Sequence, residues 1–145
     1  MFGNLRSGAN AYAKVGLETG VIAASPHELI VMLYDGAITA LSIARRAMDN
    51  SNIEEKSKSI SKAVNIVNEG LRSCLNKKQG GELAANLDDL YQYISNRIMQ
   101  ANIRNDRSLL DEASNLLIGL RDAWKMIDPK TQQVNRSSQV PASQL

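Results

Sequence analysis

From residue 25 to about residue 128 the apolar positions recur with a helical period, and no stretch alternates as a strand would. The run at 25–50 is the most apolar. Ser25 stands where an N-cap belongs, Pro26 at the first helical position and Glu28 at the third, which together make a capping box. Asp49, Asn50, Ser51 and Asn52 end it. At ~100° per residue, Glu28, Asp35, Thr39, Ser42, Arg46 and Asp49 fall on one polar stripe, with Arg45 as the exception. Almost all the remaining circumference is apolar, whereas a surface helix usually shows an apolar stripe of roughly 100°. This helix needs cover on several sides, from the rest of the chain or from a partner.

A second helix is predicted from Ser51 or Asn52, with Glu54 and Glu55 favourably placed in its first turn. Ile60, Val64, Val67, Leu71 and Cys74 form its seam, and Lys56, Lys58, Lys62, Asn65, Asn68, Glu69 and Arg72 face away. Residues 76–81, with two glycines and two lysines, read as its C-terminal signal. A third helix is expected from Glu82 or Leu83, with Leu83, Leu87, Leu90, Ile94, Ile98 and Ala101 inward. Tyr91, Tyr93, Met99 and Ile103 fall partly off that seam, so this helix too carries more apolar surface than one interface needs. After a turn at 102–106 a fourth helix starts, capped by Asp106 or by Ser108 with Asp111. Its core face is Leu109, Leu110, Ala113, Leu116, Leu117, Leu120, Trp124 and Ile127, and Asp128-Pro129 stops it.

These elements predict an all-α fold, an antiparallel up-down four-helix bundle over residues 25–129. Residues 1–24 hold Gly3, Gly8, Gly16 and Gly20 and read as a mobile arm or short helix. Such an arm either packs on the bundle or covers a partner site from which it is displaced. Residues 130–145 are dominated by Gln, Ser, Asn and Thr and read as a disordered tail.

Composition narrows the function. The 145 residues, 43% hydrophobic, suffice for one core. Seventeen basic against fifteen acidic residues leave a net charge of +2, and no Lys/Arg run exceeds Arg45-Arg46 or Lys77-Lys78, which argues against nucleic acid as a partner. The single Cys74 excludes an internal disulfide and fits a reducing compartment. No apolar run approaches the roughly 18 residues of a membrane span, and no basic segment followed by a hydrophobic one opens the chain. The expectation is a cytoplasmic protein without membrane insertion.

Candidate chemistry is thin. His27 is the only histidine, read as an exposed first-turn residue, and the chain contains no Glu-x-x-His for a dimetal site. Cys74 lies on a core seam with nothing to lower its pKa. Gly80-Gly81 lacks the rest of a phosphate loop, and the pairs Glu54-Glu55 and Asp88-Asp89 diverge around their helices. The sequence predicts no enzyme, no metal and no cofactor. Gly36, following Asp35 in the middle of the first helix, costs about 1 kcal/mol relative to alanine. It permits a close helix approach or the approach of a partner's backbone. The surplus apolar surface on the first and third helices suits a groove for another chain's amphipathic helix. The alternative is a homo-oligomeric scaffold in which a second copy covers it.

Beyond periodicity, the run Ala-Ser-Pro-His-Glu-Leu-Ile-Val-Met-Leu-Tyr-Asp-Gly-Ala-Ile at 24–38 resembles the flagellar secretion chaperone FliS family. Ala-Asn-Ala-Tyr at 9–12, Asn-Leu-Asp-Asp-Leu-Tyr-Gln-Tyr-Ile at 86–94, Arg-Ile-Met-Gln-Ala-Asn-Ile-Arg-Asn-Asp at 97–106 and Ala-Trp-Lys at 123–125 extend the resemblance, with Ala23 where many relatives carry threonine. The resemblance implies a cytoplasmic four-helix bundle that binds the disordered C-terminal region of flagellin one-to-one, prevents its premature polymerisation and helps deliver it to the export gate protein of the flagellar type III apparatus. It also leaves room for a weak homodimer without client. Carried onto matching positions, it implies partner contact or groove shaping by Tyr12 in the arm and by Ser25, Pro26, Leu29, Met32, Leu33, Asp35 and Gly36 around the first helix. On the third helix it implies the same for Leu87, Leu90, Tyr91, Ile94, Arg97, Ile98, Ala101 and Asn102.

Overall fold

Each helix start carries the side-chain cap that its sequence provides. In the computed structural model, which describes residues 24–127, α1 (Pro26–Asp49) opens with the Glu28 amide donating to Ser25 Oγ at 3.1 Å. The arm and tail expected on either side of the bundle lie outside the described residues. Helix α2 (Ile53–Asn65) is capped by Asn52, which accepts from the Glu55 amide at 3.1 Å. Helix α4 (Arg107–Met126) is capped by Asp106, which accepts from the Ser108 amide at 2.9 Å.

The third helix begins earlier than its hydrophobic pattern indicates. Helix α3 (Lys77–Arg104) is capped by Asn76, whose side chain accepts from the Gln79 amide at 3.0 Å. The run read as the end of the second helix is therefore the first turn of the third. The two glycines hide this: Gly81 sits at φ +52° and ψ −129°, a kink that separates this turn from the long helix and that glycine alone tolerates readily. The second helix instead closes by changing its winding. Residues Ile66–Leu71 form a π turn and Arg72–Cys74 a 3-10 turn. The wider π turn brings Ile66, Val67, Gly70 and Leu71 into the core together.

Cross-helix contacts set the topology. Arg107 pairs with Asp49, Arg45 with Asp111 at 2.7 Å and Arg121 with Asp35 at 3.0 Å, so α1 and α4 run antiparallel along a seam closed by three ion pairs. Arg97 meets Glu112 at 2.8 Å between α3 and α4. Lys56 donates to the Asn102 carbonyl and Asn105 Oδ1, while Ser95 donates to Asn68 and Arg72 pairs with Asp88 at 2.8 Å, so α3 is also antiparallel to the second helix. The described chain is an all-α up-down bundle in the ring order α1, α2, α3, α4.

The core is the surface predicted from periodicity, with particular exceptions. Leu29, Leu33, Leu41, Ile60, Val67, Leu71, Ile94, Ile98, Leu110 and Leu117 are buried. Leu83 and Ile127, expected inward, are exposed, because each lies at an end where no facing helix continues. Lys56, expected outward, is buried, its ammonium taken up by the carbonyl and side chain that end α3. Helix α1 has the length and apolar composition to cross a membrane, yet its large buried side chains pack against the other three helices.

Two hydroxyls lie inside this core. Tyr34 and Tyr91, both fully buried, share a hydrogen bond of 2.5 Å. Burial pushes Tyr34 up to about 12 and Tyr91 higher still, and it raises the Cys74 thiol to about 11. The folded state thus retains protons that the unfolded chain releases from about pH 9 for the thiol and about pH 10 for the phenols. Stability is complete below those values and falls as pH rises. Denaturant midpoints measured from pH 8 to 11 should decline, with on the order of 1 kcal/mol lost from Tyr34 by pH 11. The double variant Tyr34→Phe with Tyr91→Phe should lose the part of the decline above pH 10, and an unchanged profile would count against the two phenols as its source.

Candidate functional site

The second helix is flanked by open grooves on both sides. It is fastened to α3 at both ends, by Lys56 on the Asn102–Asn105 turn and by Asn68–Ser95 within the π turn and Arg72–Asp88 just after it. Between those fastenings the two helices leave a groove of about 830 Å³. Ile60, Val64, Met99 and Ile103 supply its apolar lining, and Ser61, Lys62, Asn65, Asn68, Glu69 and Asn102 its polar edge. Met99 is 51% exposed and Ile103 74%, large apolar side chains with no cover from the described residues.

On the other side of the same helix, Asp35, Gly36, Thr39, Ala40 and Ile43 of α1 face Ser59 and Lys62 across a smaller furrow of about 230 Å³. The furrow continues past Ile43 into a hollow of about 600 Å³ edged by Asn52, Glu54, Glu55 and Lys58. Small residues at 36 and 40 keep α1 low here. The Asp35 carboxylate is drawn toward α4 by Arg121.

The buried polar cluster beyond the groove holds its far end in place. Asp88 accepts from Arg72 at 2.8 Å and from Gln92 at 3.0 Å and lies 3.3 Å from Lys77. The Arg72 guanidinium, more than the other partners, holds this carboxyl below the usual range. Asn68 joins the same cluster, accepting from Arg72 and from Ser95. On the outer face of α3 and α4, Glu112 accepts from Arg97 and from the Tyr93 hydroxyl, while the Arg97 guanidinium sits 5.5 Å above the Tyr93 ring.

The residues singled out by resemblance divide into three groups. Asp35, Gly36 and Asn102 line the grooves, and Met32 and Leu90 are half-buried beside the core. Leu29, Leu33, Leu87, Tyr91, Ile94, Ile98 and Ala101 are enclosed in the core, where they shape the bundle that the grooves are cut into. Ser25 caps α1, Pro26 is exposed at its first turn, Arg97 is held by Glu112, and Tyr12 lies outside the described residues. Sequence reasoning did not single out Ile60, Val64, Lys62, Met99 or Ile103 as a site, although Met99 and Ile103 already stood off the seam of the third helix.

One further residue, His27, is placed differently from its sequence reading. His27 is half-buried, its ring edge-on to Trp124 with centroids 5.7 Å apart and its Nε2 enclosed without a hydrogen-bond partner among the described residues, because the end of α4 folds over the start of α1. Trp124 is buried, as its seam position predicted. A close approach between helices occurs at Gly70, where an added Cβ would stand 2.9 Å from a Leu33 methyl.

Comparison with known proteins bears on what this arrangement does. Residues 8–131 match the model of a family described as flagellar protein FliS. The chain is 46% identical over 124 residues to the flagellar secretion chaperone FliS of Salmonella typhimurium, an alignment covering 86% of this chain and 92% of that protein. It is 43% identical to the Escherichia coli protein of the same name, over 81% of this chain and 87% of that one. For the Bacillus subtilis protein of that name the identity is 38%, over 74% and 79%.

Proposed function

The chain belongs to the flagellar protein FliS family, and from that premise we propose that it is a flagellar secretion chaperone whose client is the disordered C-terminal region of flagellin. The observation that carries this reading is the groove between the second helix and α3, where the described residues leave Met99 and Ile103 uncovered between two polar fastenings. A client segment with apolar residues at helical spacing matches such a lining. Burying that face removes the surface by which client subunits associate, and the entropy lost in ordering the segment moderates the affinity. The chaperone acts in the cytoplasm by stoichiometric binding and makes or breaks no bond. Release follows when the export gate protein competes for the complex.

The test is a calorimetric titration of the full chain with the C-terminal segment of flagellin from the same organism. Saturation at one segment per chain with a negative heat-capacity change is expected. The double variant Met99→Asp with Ile103→Asp, both at exposed positions, should bind about tenfold more weakly with an unchanged circular dichroism spectrum. Unchanged affinity in that variant would move the client off this groove. No complex at tens of micromolar, roughly 6–7 kcal/mol of binding free energy, would remove the chaperone reading and leave self-association as the use of the apolar surplus.

A further inference from the structure

Among the residues that edge the grooves, Lys62 is distinguished by position and by an ammonium that no carboxylate pairs among the described residues. It lines the groove toward α3, the furrow toward α1 and the hollow that continues the furrow. It is exposed, with no ion pair or hydrogen bond from its ammonium among the described residues. Its own helix supplies no compensation. Three and four residues before it stand Ser59 and Lys58, and three and four after it Asn65 and Ile66, so the nearest charge along the helix face is a second cation.

Toward α1 and α3 the neighbouring charges are otherwise committed, and Glu54 and Glu55 edge only the hollow away from the α3 groove. Lys58 has Glu54 one turn earlier on its own helix, at the spacing that favours a pair. Asp35 is paired with Arg121 on α4, Lys56 is spent on the end of α3, and Glu69 and Asn65 are already engaged. The α3 groove therefore presents an apolar floor, an edge mostly of amides and hydroxyls, and one uncommitted positive charge. We infer that Lys62 fixes the register of the bound client by pairing with a carboxylate side chain that the client carries where it runs beside the second helix. This rests on the chaperone reading and adds to it the chemistry of one client position. An apolar floor alone accepts an amphipathic helix slid by one turn. A single charge at its edge discriminates between those registers, because only one of them pairs it.

The test uses the full chain and the flagellin C-terminal segment, titrated at about 20 mM and about 500 mM salt, where screening differs severalfold. Lys62→Met keeps the aliphatic stem and should weaken binding about fivefold at low salt, with a smaller loss at high salt. Lys62→Arg should retain the wild-type affinity, and Lys62→Glu should lose more than Lys62→Met. Neutralising the acidic residues of the segment one at a time should identify one whose loss weakens binding to the wild type but not to Lys62→Met. Equal affinities for wild type and Lys62→Met at both salt concentrations overturn the assignment, as does a loss in Lys62→Met that no client carboxylate shares. A wild-type chain that binds no segment at all overturns both this assignment and the chaperone reading, so the two failures are told apart by the first titration.

Discussion

Replacing Gly70 by valine is expected to cost about 3 kcal/mol of folding stability. Gly70 lies in the π turn, buried, and the first carbon of any side chain there would stand 2.9 Å from Leu33 Cδ2, with two more Leu33 atoms at 3.5 and 3.7 Å. Leu33 is fully buried in α1, so its methyls retreat only by displacing neighbours that are themselves packed. Alanine is the mild case, since one carbon meets the end of a single side chain and recovers part of glycine's backbone entropy. Valine adds two branches to the same contact. Urea unfolding followed by circular dichroism measures the cost. The decisive comparison is with Leu33→Ala, itself worth about 3 kcal/mol as a cavity. In the double variant the valine fills space that the leucine vacated, so its cost should fall well below the sum. An additive double variant would mean that the two side chains do not share that space.

Tyr34→Phe is the second large effect, expected to destabilise by about 2 kcal/mol. The cause is the group left behind. Tyr91 is fully buried and its hydroxyl bonds to Tyr34, so removing that partner strands a desolvated polar group in the core. Tyr91→Phe should cost less, because the Tyr34 hydroxyl also interacts with Trp124. Replacing both by phenylalanine removes the unpaired groups together and should sit closer to the wild type than Tyr34→Phe alone. Equal losses for all three variants would assign the cost to ring packing and not to the hydroxyls.

These cases show what a sequence carries and what it withholds. The starts of α1 and α4 were legible because capping is local: Ser25, Pro26 and Glu28 need only one another, and Asp106 only the next two residues. The start of α3 was equally local, with Asn76 three residues before Gln79, but Gly80 and Gly81 argued more strongly for an ending. A glycine kink and a glycine stop look alike until the chain beyond is placed. The π turn left no trace, since Ile66, Val67, Gly70 and Leu71 are apolar at spacings that an ordinary helix also buries.

Gly36 and Gly70 make the same point about packing. Both stand in helices, and at Gly70 it is the position of Leu33, invisible in the sequence, that makes the approach close. For the grooves, periodicity set Tyr91, Tyr93, Met99 and Ile103 off the seam of α3; the last three are exposed, whereas Tyr91 is fully buried with its hydroxyl on Tyr34. It could not say that Ile60 and Val64 face Met99 and Ile103 across a gap, because a groove is defined by where two helices fail to close. Resemblance pointed to Asp35, Gly36 and Asn102, which line the grooves, and also to Ile94 and Ile98, which hold the helices apart from within.

The placement of Trp124 has an optical consequence. It is the single tryptophan of the chain, buried near the end of α4 with its ring edge-on to His27 of α1, and it lines none of the grooves beside the second helix. Its emission therefore reads the closure of α1 against α4 and not the lining of those grooves. The chain carries a native fluorophore that gauges whether the bundle is intact in the same sample whose heat of binding is being recorded. A groove variant that alters one signal and leaves the other still is sorted at once into lost contact or lost fold.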